Sequence, residues 1–462
     1  MKKNLLNINL SLLPAVVSLA WPTMLEQLMQ TAVQYVDTAM VGSLGTQAVA
    51  AAGSTATVSW LVGSSISALG VGFLSYISQA DGAGDSERVH RAVAQSVLTV
   101  IVCGLFFTAL TVSVSGMIPV WMRVDPAIRD ITAKYFMILY LPMLFRSASV
   151  IFSTVLRALG DSRTPMRVGI IVNLSNVIMN FLLIYSPRTM HIGSLSVPVW
   201  GAGMGVIGAA AASALAFVIG GVLVTLRLYA HPRASWKGYP LKPDPEVLRP
   251  CLKVALPNMM QRFATSFGYV VFAAMINSLG GLSTAAHTVA NTVESAFYIP
   301  GYGMMTAAAA LTGNAIGSRD RKKVGELAVS IIFCEVSLMI LSGSLLFAFA
   351  PAMVSVFSHD PEVIALGTRV LRMVACSEPF YGVSIVIEGM FMGAGETKTP
   401  FRYNVGGMWL VRILGTFICI RFLHFGLVSA WACMITHNMI LFLLYVRAYR
   451  SGRWNPLNAE IS

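Results

Sequence analysis

The chain has 462 residues, of which 56% are hydrophobic and 11% charged, against roughly 25% charged in a soluble globular domain. That deficit excludes a soluble protein of this size, which has to cover its surface with polar groups. The net charge of +12 does not point to nucleic acid, because the basic residues lie in short segments between apolar runs and so read as membrane topology.

The chain opens with Lys2-Lys3 and an apolar run. This resembles a signal peptide but leads into a run of full membrane length without a clear small-residue cleavage site, so it is expected to remain as the first span. Twelve spans follow the hydropathy, at 12–38, 55–80, 92–117, 131–157, 165–187, 202–229, 248–279, 285–313, 324–350, 363–391, 401–421 and 425–448. Runs of about 20 apolar residues cross roughly 30 Å of hydrocarbon as helices, because a backbone in lipid must satisfy its own hydrogen bonds. A transmembrane barrel would instead show short alternating segments. The expected fold is an all-α membrane protein.

Between the sixth and seventh spans lies the longest basic break, His231 to Lys253. It divides the chain into an N-lobe (1–230), a linker (231–247) and a C-lobe (248–462). Of the 32 lysines and arginines, 22 fall on the side of the linker and both termini and 7 on the other, with Arg146, Arg262 and Arg412 inside spans. The bias predicts both termini in the cytoplasm and a multi-pass protein of the bacterial inner membrane. The six cysteines show neither CxxC spacing nor an extracellular pairing pattern and read as small apolar residues.

The halves repeat at a constant offset of 235. Pro22 meets Pro257, Ala39-Met40-Val41 meets Ala274-Met275-Ile276, Gly82 meets Gly317, and Gly160 to Arg167 (GDSRTPMR) meets Gly395 to Arg402 (GETKTPFR). Six helices per half return the chain to the side it started from. The repeat is therefore parallel, with its pseudo-axis along the membrane normal and a natural cleft between the halves. The paired GDSRTP and GETKTP segments have no P-loop spacing, so ATP is not the expected energy source. No HExxH, GxSxG or paired aspartate motif suggests an enzyme, and no cofactor is expected.

These features resemble the multidrug and toxic compound extrusion (MATE) family of the wider flippase superfamily. The residues carrying the resemblance are Pro22, Asp37 within DTAMVGSLG, the DGAGD of 81–85, LRALGDSRTPM at 156–166, WGAGMGVIGAAAAS at 200–213 and MGAGETKTPF at 392–401. The resemblance spans all twelve helices and implies a V-shaped pair of six-helix lobes. It further implies efflux coupled to Na⁺ or H⁺.

Ionisable groups inside a membrane are functional candidates by default. On the first span Asp37 stands near Gln34 and Tyr35. It reads either as a cation-binding carboxylate or as an interfacial aspartate near the outer surface. On the fifth span Asn173, Asn176 and Asn180 share one helical face. Three amides there need partners, whether a cation, a carboxylate or a polar helix seam. The family resemblance implies that Asp37 is the coupling aspartate, with Asn176 and Asn180 as its partners and Na⁺ or H⁺ as the ion. Ser213 falls where relatives often carry a hydroxyl. Some relatives carry a second aspartate at the position of Asn180, and its absence leaves a single carboxylate.

The C-half spans carry Glu294, Glu335, Glu378 and Glu388, with Arg262 and Arg412 as candidate partners. This surplus of acid suits a second proton or substrate site comprising Glu294, Glu378, Glu388, Arg262 and Tyr381, or else internal ion pairing. Acids that a NorM-type branch carries on helices 7 and 10 fall here on Thr265 and Tyr381. His437 reads as a hydrogen-bonded packing residue. Pro379, beside Glu378, invites a bend. The 25 methionines suit an adaptable cleft.

Together these readings predict a monomeric secondary antiporter. It would export amphipathic, cationic small molecules by alternating access, surrounded by lipid and without a nucleic-acid partner. The competing reading is a flippase for a lipid-linked or metabolite substrate, which more cationic side chains in the spans would favour.

Overall fold

The computed structural model describes residues 9–192 and 195–459. Its long helices are α1 (Leu13–Gly42), α2 (Thr46–Gly82), α3 (Ser86–Val114), α4 in two segments (Arg129–Tyr140 and Met143–Ala158), α5 (Arg163–Leu183) and α6 (Gly205–Tyr229). After the linker come α7 (Pro245–Asn277), α8 (Gly281–Gly317), α9 (Arg321–Phe357) and α10, again in two segments (Pro361–Ala375 and Glu378–Gly393). The last two are α11 (Lys398–Arg421) and α12 (Leu427–Ser451). Eight of these are long and apolar enough to cross a membrane, and the bent pairs α4 and α10 bring the number to ten. The other two, α7 and α8, have 33 and 37 residues. Asn258, Gln261, Arg262 and Glu294 make them less apolar, but in the repeat they occupy the register of α1 and α2. The result is a twelve-helix membrane protein of two six-helix bundles.

The 235-residue register reappears in the chemistry of the helix ends. Asp85 accepts from the Arg88 amide at the start of α3 at 3.0 Å, and Asp320 accepts from the Lys323 amide at the start of α9 at 2.9 Å. Asp125 and Asp360 cap the turns that open α4 and α10, each followed by proline. Asp161 and Glu396 accept from the Thr164 and Thr399 amides at 3.0 and 2.9 Å as α5 and α11 begin. Such caps satisfy amides that have no partner within the helix. Both halves also break their fourth helix at the same place, by 47° before Met143 and by 54° before Glu378.

Several details differ from the hydropathy reading. Many helices run past the apolar runs, because caps and glycine turns, not lipid, fix their ends. The bend in α10 lies at Cys376-Ser377, and Pro379 stands just inside the new segment, where its missing amide costs nothing. By contrast α1 and α7 continue through Pro22 and Pro257. An antiparallel hairpin, Arg188–Ile192 with Leu195–Val199, joins α5 to α6, in a register pairing Arg188 with Val199. The all-helical expectation did not include it, although the Gly193-Ser194 spacing is a hairpin signal. Those two residues lie outside the described residues.

The closest backbone crossings between the bundles lie on the linker side, and further out the Tyr35 hydroxyl of α1 donates to the Thr292 carbonyl of α8 at 3.3 Å. A side chain on Gly82 of α2 would collide with the Asn314 carbonyl of α8, and one on Gly317 with the Gln79 carbonyl. These two contacts are the same contact repeated at the 235 offset. Asp81 adds a polar clasp, accepting from Arg233 of the linker at 2.9 Å and from Asn314 at 3.1 Å. Gln79 donates to the Gly393 carbonyl at 2.8 Å. The linker is tied to α3 through Arg91, 2.6 Å from Asp244 and 2.7 Å from Glu246. The linker-side halves of α2 and α8 have no exposed residue, while their opposite halves are mostly exposed or half-buried.

Candidate functional site

In the N-lobe, α1, α5 and α6 converge on one carboxylate. Asp37 lies just over a turn before the end of α1. Asn180 of α5 donates to its Oδ1 at 2.6 Å. The Asn176 amide is best satisfied with its nitrogen facing Asp37. It then donates to both carboxylate oxygens, at 2.8 and 3.1 Å, and accepts from the Ser213 hydroxyl of α6 at 3.1 Å. Asn176 and Asn180 are 6% and 1% exposed, and Asp37 and Ser213 are half-buried.

Apolar packing closes one side of this cluster. One turn beyond Asp37 and Asn180, the buried residues Val41 and Ile184 pack with Val206 and Ala209, with Tyr135 against them. Two buried polar atoms have no protein partner, Oδ1 of Asn180 and Nδ2 of Asn173. Asp37 and Asn180 thus offer hard oxygen donors suited to Na⁺, and the carboxylate alone suits H⁺. The C-lobe has no copy of the site. Phe272, Val411 and Gly415 stand at the equivalents of Asp37, Asn176 and Asn180.

The second residue set of the sequence reading divides into separate groups. Glu388 of α10 accepts from Gln261 of α7 at 2.7 Å, Asn404 of α11 at 3.0 Å and Tyr445 of α12 at 3.2 Å. Arg262 donates to Asn258 at 3.0 Å. Tyr381 pairs with Tyr302 through their hydroxyls at 3.1 Å. Glu294 and Glu378 are buried, 6% and 1% exposed. Neither arginine forms an ion pair with any of these acids among the described residues. Arg412 instead lies over the rings of Tyr269 and Phe272, 5.0 and 4.8 Å from their centroids, a contact worth about 2 kcal/mol when desolvated. His437 is buried, and neither ring nitrogen has a protein partner. It is therefore not the hydrogen-bonded packing residue expected from sequence.

The spans also hold an ion pair that sequence reasoning missed. Glu26 of α1 and Arg157 of α4 approach to 2.6 Å, with side chains 10% and 13% exposed. Their types are legible as charges in or beside apolar runs, but nothing local pairs residues 131 apart. The repeat places Gln261 and Met392 at their C-lobe positions.

The family model MatE matches the chain twice, over residues 22–182 and 257–418, two segments that start 235 apart. The chain is 25% identical over 438 residues to the probable multidrug resistance protein NorM of Thermotoga maritima, covering 95% of this chain and 92% of that one. It is 24% identical over 449 residues to the probable multidrug resistance protein YpnP of Bacillus subtilis, covering 97% of each. Among solved structures, a crystal structure of MATE in complex with MaL6 matches with a TM-score of 0.89 at 20% identity, over 97% of each chain. An outward-facing conformation of a multidrug resistance MATE family transporter matches with a TM-score of 0.88 at 21% identity, over 96% of each chain.

Proposed function

The chain belongs to the MatE family, and from that premise we propose that it is a secondary antiporter that exports amphipathic organic cations in exchange for H⁺ or Na⁺. The single observation that carries the reading is the Asp37 carboxylate, held by Asn180 and Asn176 inside the N-lobe. A carboxylate with amide donors and a free amide oxygen beside it binds a small cation and loses it when the surroundings rehydrate.

The cycle follows from charge and packing. The bias of lysine and arginine toward the linker side supports cytoplasmic termini, in the inner membrane of a bacterium. The conformation closed on the linker side is then the outward-facing one. The ion enters from outside, reaches Asp37 and removes the net charge between α1 and α5. The helices repack, the cleft releases its substrate outward, and the ion leaves inward after the lobes rock. The names of the relatives support multidrug substrates. The few arginines within the spans favour cations over lipid-linked anions. The chain is expected to act as a monomer within lipid.

The test is transport in proteoliposomes with Na⁺ and H⁺ gradients imposed one at a time and ethidium as the reporter. One gradient should drive ethidium movement in the wild type and neither should in Asp37→Asn. Undiminished gradient-driven transport in the variant would remove Asp37 from coupling.

A further inference from the structure

We infer that Glu335, together with Glu378, forms a second proton-binding centre in the C-lobe, separate from Asp37. The proposal deepens the antiport reading above by naming a further group that exchanges protons.

Glu335 lies in the middle of α9. It is 0% exposed, and neither carboxyl oxygen has a hydrogen-bond partner in the protein. The carboxyl occupies a slot between α8 and α10. A Cβ on Gly301 of α8 or on Gly382 of α10 would stand 2.8 Å from its Oε1. The two facing helices both carry glycine where the acid needs room. Glu378, one turn before Gly382, is 1% exposed, and its Oε2 likewise has no protein partner. Glu294, two turns before Gly301 on α8, lies within electrostatic reach of Glu378, as does Glu335.

The repeat argues against a scaffold role. Val100 and Met143, at the N-lobe positions of Glu335 and Glu378, are buried at 3% and 0% exposure, and Ser59 stands where Glu294 does. The fold therefore accepts apolar side chains at the two places where the C-lobe carries its buried carboxyls.

Charge identifies the ligand. Among the described residues none of the three acids is in an ion pair. The base that acts on them is Arg412 of α11, which acts on Glu294 while lying over Tyr269 and Phe272. Tyr298 of α8 is the other titratable group facing Glu294, and Cys334 is beside Glu335 on α9. One base against three acids leaves two carboxyls without compensation. A buried carboxylate without a partner is far costlier than the neutral acid. Neither oxygen of Glu335 has a hydrogen-bonding neighbour to help complete the oxygen shell that a bound cation needs. The group that neutralises Glu335 is a proton, which needs no ligand shell.

Glu378 differs from Glu335 in one respect. It is the first residue of the second segment of α10, where the helix dipole favours negative charge. The two carboxyls pass a proton between them. Each exchange is a proton leaving one carboxyl and binding another, with no heavy-atom bond broken.

Infrared spectroscopy of the purified full-length protein tests this without a known substrate. The wild type should show a protonated-carboxyl C=O band at neutral pH that shifts in D₂O and fades as the medium becomes alkaline. Glu335→Gln should lose that component. Glu335→Asp should move it to another frequency, which serves if the glutamine variant fails to fold. Asp37→Asn should keep the band while losing gradient-driven ethidium transport. Superposable wild-type and Glu335→Gln spectra would overturn the proposal, as would a Glu335 band unchanged from acid to alkaline medium. A transport-competent Asp37→Asn with the band intact would instead overturn the coupling role of Asp37 alone.

Discussion

The side-chain amide of Asn180 lies 2.6 Å from the carboxylate of Asp37, although 143 residues separate them. A hydrogen bond to a charged group contributes about 1.5–3 kcal/mol, which is roughly one to two orders of magnitude in an equilibrium constant. That bond favours the ionised carboxylate, so Asn180→Ala should tighten H⁺ binding at Asp37 by about ten- to a hundredfold if H⁺ is the coupling ion, and should weaken Na⁺ binding if Na⁺ is, because the Asn180 oxygen is lost with the side chain. The fold should be retained, because the Asn176 contact remains. The check is the ion concentration for half-maximal ethidium transport in proteoliposomes, alongside the thermal midpoint of the purified variant.

The two polar clusters were not equally legible. Asn173, Asn176 and Asn180 announce a polar stripe by spacing alone, and the repeat offset fixes which helices correspond. The convergence of that stripe on Asp37 depends on packing between α1 and α5, which hydropathy does not encode. In the C-lobe, counting acids and bases suggested pairing, yet Arg412 lies over aromatic rings and Arg262 is bonded to Asn258. Glu388 is bound by Gln261, Asn404 and Tyr445, from three other helices, none of which stands out in sequence. The bend of α4 also escaped, since Pro142 falls inside an unbroken apolar run.

The Glu26–Arg157 pair offers a comparison that the protein itself supplies. Removing one partner of a buried ion pair costs about 3–5 kcal/mol, because the other is left uncompensated. Glu26→Gln and Arg157→Met should each lower stability by about that amount. The double variant carries the residues that stand at Gln261 and Met392 in the other lobe. It should recover much of the loss, since neutral, well-packed replacements of buried pairs are often tolerated. Thermal midpoints of the four proteins close the double-mutant cycle. A double variant as unstable as the sum of the singles would contradict this.

Gly82 and Gly317 let α2 and α8 cross with backbone against backbone at the closed end of the cleft. Leucine at position 317 would press on the Gln79 carbonyl, which belongs to the main chain and has no rotamer to give way. Gly317→Leu should shift the population away from the linker-side-closed state. A cysteine introduced at Ser75, now buried at 3% exposure, reports the change. It should react with a membrane-impermeant maleimide several-fold faster in the Gly317→Leu background, when reagent is supplied on the linker side. Unchanged labelling would mean that the crossing does not control closure.

Cys419 of α11 and Cys433 of α12 hold their sulfur atoms 3.8 Å apart, and both are free and half-buried. Gly415, one turn from Cys419, lets the helices approach, since a Cβ there would stand 3.3 Å from the Cys433 sulfur. A disulfide needs the sulfurs at about 2.05 Å, a movement of under 2 Å that side-chain rotation supplies. Copper-phenanthroline takes two electrons from the two thiols and two protons are released. It should therefore join these residues and no other pair within the chain. The closed loop constrains the unfolded chain, so the oxidised protein should melt several degrees higher than the reduced one, and dithiothreitol should reverse the shift. Peptide mass mapping of the oxidised protein locates the bond, and Cys419→Ser abolishes both the cross-link and the shift. If the thiols of Cys419 and Cys433 remain alkylatable after oxidation, α11 and α12 do not pack in this register.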